Sequence, residues 1–104
     1  MILTTTNELT GKKFEEIGLV RGSTVQTVNA IRDIGAGFKT LVGGEIKKYN
    51  EMMGTARDLA TNRMIDDATA LGADAILCIR YSSAAIMQGA AEVMVYGTAV
   101  KFVD

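Results

Sequence analysis

An uninterrupted apolar stripe in the middle of the chain constrains the fold more than any other feature. Apolar side chains recur at helical spacing between residues 45 and 71, and Gly72 follows, where the C-cap of a helix is expected. The stripe predicts one helix about 40 Å long, which is long for a chain of 104 residues. We expect it to pack on one sheet and to reach a neighbouring subunit. Its members are Ile46, Tyr49, Met52, Met53, Ala56, Leu59, Ala60, Met64, Ile65, Ala68 and Leu71.

The segments on either side of this helix predict strands. Residues 15–21 read as a first strand, and Gly18 inside it marks a bulge or a close approach of the backbone. Residues 23–41 have helical spacing, which predicts a short helix, a break and an irregular segment. Two more strands are expected at 74–82 and 91–102, with residues 83–90 as the loop between them.

This order predicts a single α+β domain over residues 1–104. It is a two-layer sandwich of a small, mainly antiparallel sheet and one long helix. One face of so thin a sheet lies away from the helix and, if it is apolar, has to be buried by a partner. The chain is therefore expected to form a homo-oligomer.

Strand alternation predicts which side chains share a face. Leu77 and Ile79 should lie beside Val93 and Val95 under the helix, with Gly97 allowing the helix to approach. The opposite face should carry a cross-strand pair of Arg80 with Glu92, because a one-residue slip would mix the two sets. The residues predicted for that opposite face are Cys78, Arg80, Glu92, Met94 and Tyr96.

Two soft donors on this face suggest a metal or metalloid site. A thiol at Cys78 and a thioether at Met94 are ligands that soft metals prefer, and Arg80 nearby would favour the thiolate. The alternative is that Cys78 is a small buried hydrophobic residue, as free cysteines commonly are.

A second candidate site lies before the long helix. The backbone N–H groups of Gly43 and Gly44, at a helix N-terminus, could bind an anion with the help of Arg32. The alternative is a tight turn or a close subunit contact that requires glycine.

Several functional classes are disfavoured by what the sequence lacks. The chain has no His and one Cys, so histidine-based nucleophile systems and thiolate-rich metal sites within one chain are excluded. The net charge is −1 without a basic stripe, so we expect no nucleic-acid binding. The start resembles no signal peptide and no apolar run could span a bilayer, which predicts a cytoplasmic protein without a membrane partner. No enzymatic activity is expected, and no cofactor can be identified.

Motifs spread along the whole chain resemble those of the YbjQ-like proteins, which are small proteins labelled "putative heavy-metal-binding". They are Arg32-Asp33, Ala36-Gly37, Val42-Gly43-Gly44, Leu71-Gly72-Ala73-Asp74-Ala75 and Gly97-Thr98-Ala99-Val100. The resemblance implies a dodecin-subunit-like fold and a ring-shaped homopentamer, and it carries over no metal-binding residue.

Two functions follow as hypotheses. The first is a ligand-binding ring for a heavy metal, metalloid or small molecule at subunit interfaces, in which five copies of Cys78 could combine. The second is a structural or protein-interaction ring without a small ligand.

Overall fold

The computed structural model describes residues 1–28 and 44–104. These residues form four strands and one helix in a single α+β arrangement. The elements, in chain order, are β1 (Ile2–Leu3), β2 (Lys13–Thr27), α1 (Gly44–Ala70), β3 (Ala75–Met87) and β4 (Ala90–Val103).

The strands form one mixed sheet in the order β1-β3-β4-β2. β4 pairs antiparallel with both β2 and β3, whereas the short β1 pairs parallel with the start of β3. The predicted α+β class and mainly antiparallel sheet are therefore confirmed for the described residues. The arrangement leaves β2 at one edge of the sheet and most of β3 at the other.

From Met52 onward, the helix buries one residue in each turn along a narrow stripe. It packs mainly on β2 and β4, where its buried side chains form one core with Val20, Val93 and Val95. The Ala73 N–H donates to the Ala68 carbonyl at 3.1 Å, and Gly72 adopts a φ of 78°, so the predicted helix and its glycine C-cap are confirmed. The residues buried along the stripe are Met52, Ala56, Ala60, Met64 and Ala68.

Among the described residues, no helix combines the length and hydropathy that crossing a membrane requires.

A glycine in β2 allows the helix to approach the sheet. A Cβ atom at Gly22 would overlap the Ala60 carbonyl oxygen and lie 2.5 Å from the Met64 backbone nitrogen. The prediction that Gly97 has this role is wrong, because a Cβ there would meet side chains of β3, at 2.6 Å from Cγ2 of Ile76. Gly97 therefore makes room within the sheet and Gly22 makes room for the helix.

The first strand is longer than its hydrophobic pattern predicts. It continues to Thr27, so residues 23–27 are strand rather than the start of a helix, and the rest of the predicted 23–41 segment from residue 29 lies outside the described residues. Alternating Ser, Thr and Val suit a strand as well as a helical spacing, and pairing with β4 decides between them. The register shift between Glu16 and Gly18 confirms the predicted bulge.

The segment predicted as a loop at 83–90 is mostly strand. β3 runs to Met87, and only Gln88 and Gly89 form the turn to β4, with Gly89 at a φ of 79°. The small residues of this stretch are exposed on both faces, so they show no hydrophobic alternation from which a strand could be predicted.

Two helix side chains bind backbone groups on the outer edge of β2. The Arg21 N–H donates to Oδ2 of Asp67 at 3.2 Å, and Nη1 of Arg63 donates to the Ser23 carbonyl at 2.7 Å. These edge groups point away from β4, since an antiparallel strand alternates groups facing its partner with groups facing outward. Helix α1 thereby covers part of an edge that would otherwise be open.

We predict that Gly22→Ala lowers the free energy of unfolding by about 1–3 kcal/mol or more, because the added methyl group meets helix backbone. Gly54→Ala is the matched control. Its Cβ would meet only Nη2 of Arg57, at 3.9 Å, and alanine in a helix interior is favoured by about 0.5–1 kcal/mol. Urea denaturation of both variants measures the two values. Equal stability of Gly22→Ala and the wild type would contradict the close packing described at this position.

Candidate ligand-binding face

The strand register divides the sheet into two faces. Residues directly opposite each other on paired strands share a face, so the side chains beneath α1, such as Val93 and Val95, define the helix face. The alternate positions form the other surface, here named the back face. Its central residues are Leu19, Arg21, Ser23 and Val25 of β2, Arg80, Ser82 and Ala84 of β3, and Glu92, Met94, Tyr96 and Thr98 of β4.

Three side chains lie in one row across the back face. Arg21 of β2 and Arg80 of β3 both lie directly opposite Tyr96 of the central strand. All three are exposed, with Tyr96 at 40%. The guanidinium of Arg80 is anchored, since its Nη1 donates to the carbonyls of Ile79 at 2.9 Å and Thr5 at 3.2 Å. We call this row the arginine rung.

A bulge in β3 places Cys78 next to the arginine rung. Leu77 pairs with Thr98 but Arg80 pairs with Tyr96, so β3 has one extra residue here. Cys78 takes up this residue at a φ of 57°, a left-handed conformation unusual for a residue other than glycine.

The N-terminal segment covers this bulge. The Cys78 and Ile79 N–H groups donate to the carbonyls of Thr6 and Thr4, each at 3.1 Å. Cys78 is half-buried, and its Sγ lies 3.7 Å from the Thr6 carbonyl oxygen. The thiol therefore packs under residues 4–6.

The same bulge overturns part of the predicted alternation. Ile76 and Ile79 both join the core under the helix, whereas Leu77 joins a second cluster on the opposite face. The prediction that Leu77 lies beside Val93 and Val95 is therefore wrong, although Ile79 does join their core. The second cluster contains Ala75, Leu77 and Val100, with Leu9, Phe14, Cys78 and Phe102 packed against it.

The predicted Arg80–Glu92 pair is also wrong. Glu92 lies opposite Ala84 and Val25, whereas Arg80 lies opposite Tyr96. The bulge shifts the register, and the hairpin turn is shorter than predicted, so the two charged residues are separated along the strands.

The two predicted soft donors do not form one site within a chain. Met94 lies opposite Ser82, four residues from Cys78 along β3, which corresponds to about 13 Å of strand. Within residues 1–28 and 44–104, no group of three or more His, Cys, Asp or Glu side chains could hold a metal ion. Among these residues, Cys78 therefore belongs to no such group.

Of the predicted anion site before the helix, the structure describes only the last residue. Arg32 and Gly43 lie outside the described residues, and Gly44 is the first residue of α1.

Arg21 was not predicted as a site residue, because alternation within β3 and β4 cannot show which part of β2 lies beside them. Its place opposite Tyr96 depends on the β2–β4 register.

Comparison with known proteins identifies close relatives over the whole chain. Residues 1–103 match the family described as "Putative heavy-metal-binding". A UPF0145 protein of Clostridium novyi is 60% identical over 97% of this chain and 98% of its own length. A UPF0145 protein of Alkaliphilus metalliredigens is 55% identical over 99% of this chain and all of its own length.

A solved structure shares the fold. It is a crystal structure of a protein of unknown function from Pediococcus pentosaceus, assigned to the DUF74 family. It superimposes with a TM-score of 0.72 at 20% identity and covers 99% of this chain and 98% of that one. At this level of identity the likeness concerns the fold alone.

We predict that Cys78 in the native protein reacts with a bulky disulfide reagent more slowly than in the unfolded chain, because residues 4–6 cover its thiol. Stopped-flow thiol titration with and without denaturant measures both rates. Equal rates would contradict the packing described here, and a native thiol that does not react at all would exclude Cys78 as a ligand.

Proposed function

Because the chain belongs to the YbjQ-like family, described as "Putative heavy-metal-binding", we propose that it is one subunit of a homopentameric ring. The ring binds a heavy metal, metalloid or other small ligand on its back faces, at subunit interfaces. The observation that carries the proposal is a combination of two features. The edges at β2 and at the far half of β3 pair with no other strand among the described residues, and the back face is exposed and partly apolar.

The first support is the elongated shape of the subunit. Its extents are 59 × 23 × 17 Å and its radius of gyration is 17.2 Å, whereas a compact domain of 100 residues has a radius of about 13 Å. A subunit of this shape encloses little of its own surface and gains more by association.

The second support is the complementary position of the two edges. Val25 continues the outward-facing series of Arg21 and Ser23 on β2, and on β3 the outward series passes through Ser83 and Ala85. One subunit therefore offers edge groups on both sides of its sheet. Pairing of the β2 edge of one copy with the β3 edge of the next is a heterologous contact, which generates a ring when the rotation closes.

The third support is the apolar part of the back face. Leu19 is 66% exposed and Val25 is 53% exposed, and Met94 and Tyr96 lie between them on the central strand. Burial of such side chains against a neighbouring subunit contributes about 1.5–3 kcal/mol each when it is complete.

A ring also supplies more soft metal donors than one chain contains. Five copies of Cys78 supply thiolates that one copy lacks, and soft metals prefer such ligands. The competing function is a structural or protein-interaction ring without a small ligand. It is favoured by the same edges and the same apolar face, since these explain assembly without a ligand. Neither function includes a catalytic step.

We predict that light scattering coupled to size-exclusion chromatography gives about five times the subunit mass of 11.1 kDa. Val25→Pro should lower this mass, because proline removes an N–H group that faces the free edge without breaking a bond to β4. Val25→Thr is the control, since it retains the N–H group and a β-branched side chain. A monomer at micromolar concentration in the wild type would refute the ring, and an unchanged mass in Val25→Pro would refute edge pairing at this residue.

We predict that the purified protein binds a soft cation such as Cd²⁺ and that Cys78→Ser abolishes this binding, because serine lacks the soft donor. Elemental analysis by mass spectrometry after dialysis measures the metal per chain. A wild type that retains no Cd²⁺ and no other bound species, while still forming the ring, would favour the ring without a ligand.

A further inference from the structure

We infer that the arginine rung is a binding site for a tetrahedral, doubly charged oxyanion, held by Arg21 and Arg80 on either side of Tyr96. This inference deepens the proposed function and rests on it for the role of the back face as a ligand site. It does not depend on the ring, because one chain supplies all three side chains.

The first argument concerns the orientation of Arg80. A guanidinium group has five N–H donors, and both donors of Nη1 are directed to the carbonyls of Thr5 and Ile79. These two bonds use only Nη1, so the parallel N–H groups on the Nε–Nη2 side form a fork of donors. Such a fork matches two oxygens of an oxyanion, and its fixed position lowers the entropy cost of binding.

The second argument concerns Arg21 and Tyr96. Among the contacts of the described residues, neither the Arg21 guanidinium nor the Tyr96 hydroxyl has a hydrogen-bond partner, and both side chains are exposed. Neighbouring residues on paired strands lie about 5 Å apart at Cα, so the two arginines are about 10 Å apart with the tyrosine between them. Their side chains are long enough to converge on one group above the tyrosine.

The third argument concerns the charge around the rung. The rows on either side of it carry no charged residue: one holds Ser23, Met94 and Ser82, and the other holds Leu19, Thr98 and Leu77. The nearest carboxylates on this face, at Glu92 and at Glu16, each lie four positions along β4 from the rung, or about 13 Å. Asp67 of α1 accepts the Arg21 backbone N–H at 3.2 Å from the outer edge of β2, but the rung and the two adjacent rows of this face carry no carboxylate. The two positive charges therefore stand side by side on this face, and the adjacent hydroxyl groups offer further donors.

This arrangement favours an anion over a metal cation, because two guanidinium groups repel a cation. Several heavy metals and metalloids occur in neutral water as tetrahedral oxyanions, and phosphate has the same shape and charge. The rung fits the shared chemistry of both, so the description of the family as heavy-metal-binding is compatible with an arginine site that contains no thiolate.

Isothermal titration calorimetry with tungstate and with inorganic phosphate, in phosphate-free buffer at low salt, tests the inference on the full chain. We expect saturable binding that weakens as salt is added. Arg21→Gln and Arg80→Gln should each weaken it about tenfold or more, since each removes charge-assisted hydrogen bonds. Arg57→Gln is the matched control, because it makes the same charge change on α1 and should leave the affinity unchanged.

Arg21→Gln is the decisive variant, because the side chain of Arg21 bonds to no other group within residues 1–28 and 44–104, whereas Arg80→Gln also releases Thr5. Tighter binding of tungstate identifies a metal or metalloid oxyanion, and equal or tighter binding of phosphate identifies phosphate; both results support the site. Absence of binding by both anions, or equal weakening in Arg57→Gln, would overturn it. Cd²⁺ bound through Cys78 without any oxyanion binding would overturn this inference and leave the proposed function standing, whereas failure of both ligands would remove both.

Discussion

The bulge at Cys78 determines how this small sheet divides its apolar side chains between two faces. A strand of regular alternation would place Leu77 and Ile79 together, but the extra residue sends Leu77 to the second cluster and Ile79 to the core under the helix. The left-handed conformation of Cys78 costs free energy, of order 1 kcal/mol or more. Bonds from the N-terminal segment to Cys78 and Ile79 hold that conformation in place. The position of Arg80 opposite Tyr96 follows from the same step in register.

Elements with strong local signals were predictable from the sequence. The long helix and its end at Gly72 follow from helical periodicity and a glycine C-cap, and Gly18 was expected to mark a bulge. The end of β2 and the far half of β3 were not predictable from the sequence. Residues 23–27 fit a helical spacing as well as a strand, and residues 83–87 are exposed on both faces and show no burial alternation. In such segments the backbone hydrogen bonds to a neighbouring strand determine the structure. Which strand becomes the neighbour depends on the fold of the whole chain rather than on the local sequence.

The candidate site, like the fold, was predictable only where the local sequence pattern is regular. Alternation places Arg80, Met94 and Tyr96 on one face because each strand is regular at those positions. It fails for Leu77, since no glycine or proline marks the bulge at Cys78 that separates Leu77 from Ile79. Arg21 enters the site only through the register of β2 with β4, which brings it opposite Tyr96, 75 positions away in the chain. The solved structure that shares this fold at 20% identity shows that the fold tolerates extensive change in sequence.

The side chains that α1 extends over the outer edge of β2 have a consequence for aggregation. An open edge strand 15 residues long is a template on which other chains can add without limit. Asp67 and Arg63 occupy the edge groups of Arg21 and Ser23, so a second copy that pairs along the full strand has to displace both. Beyond them the strand continues to Thr27, and pairing limited to that end of a twisted strand adds copies at an angle. Helix α1 therefore acts against flat, fibre-like growth of the sheet while leaving room for an ordered contact.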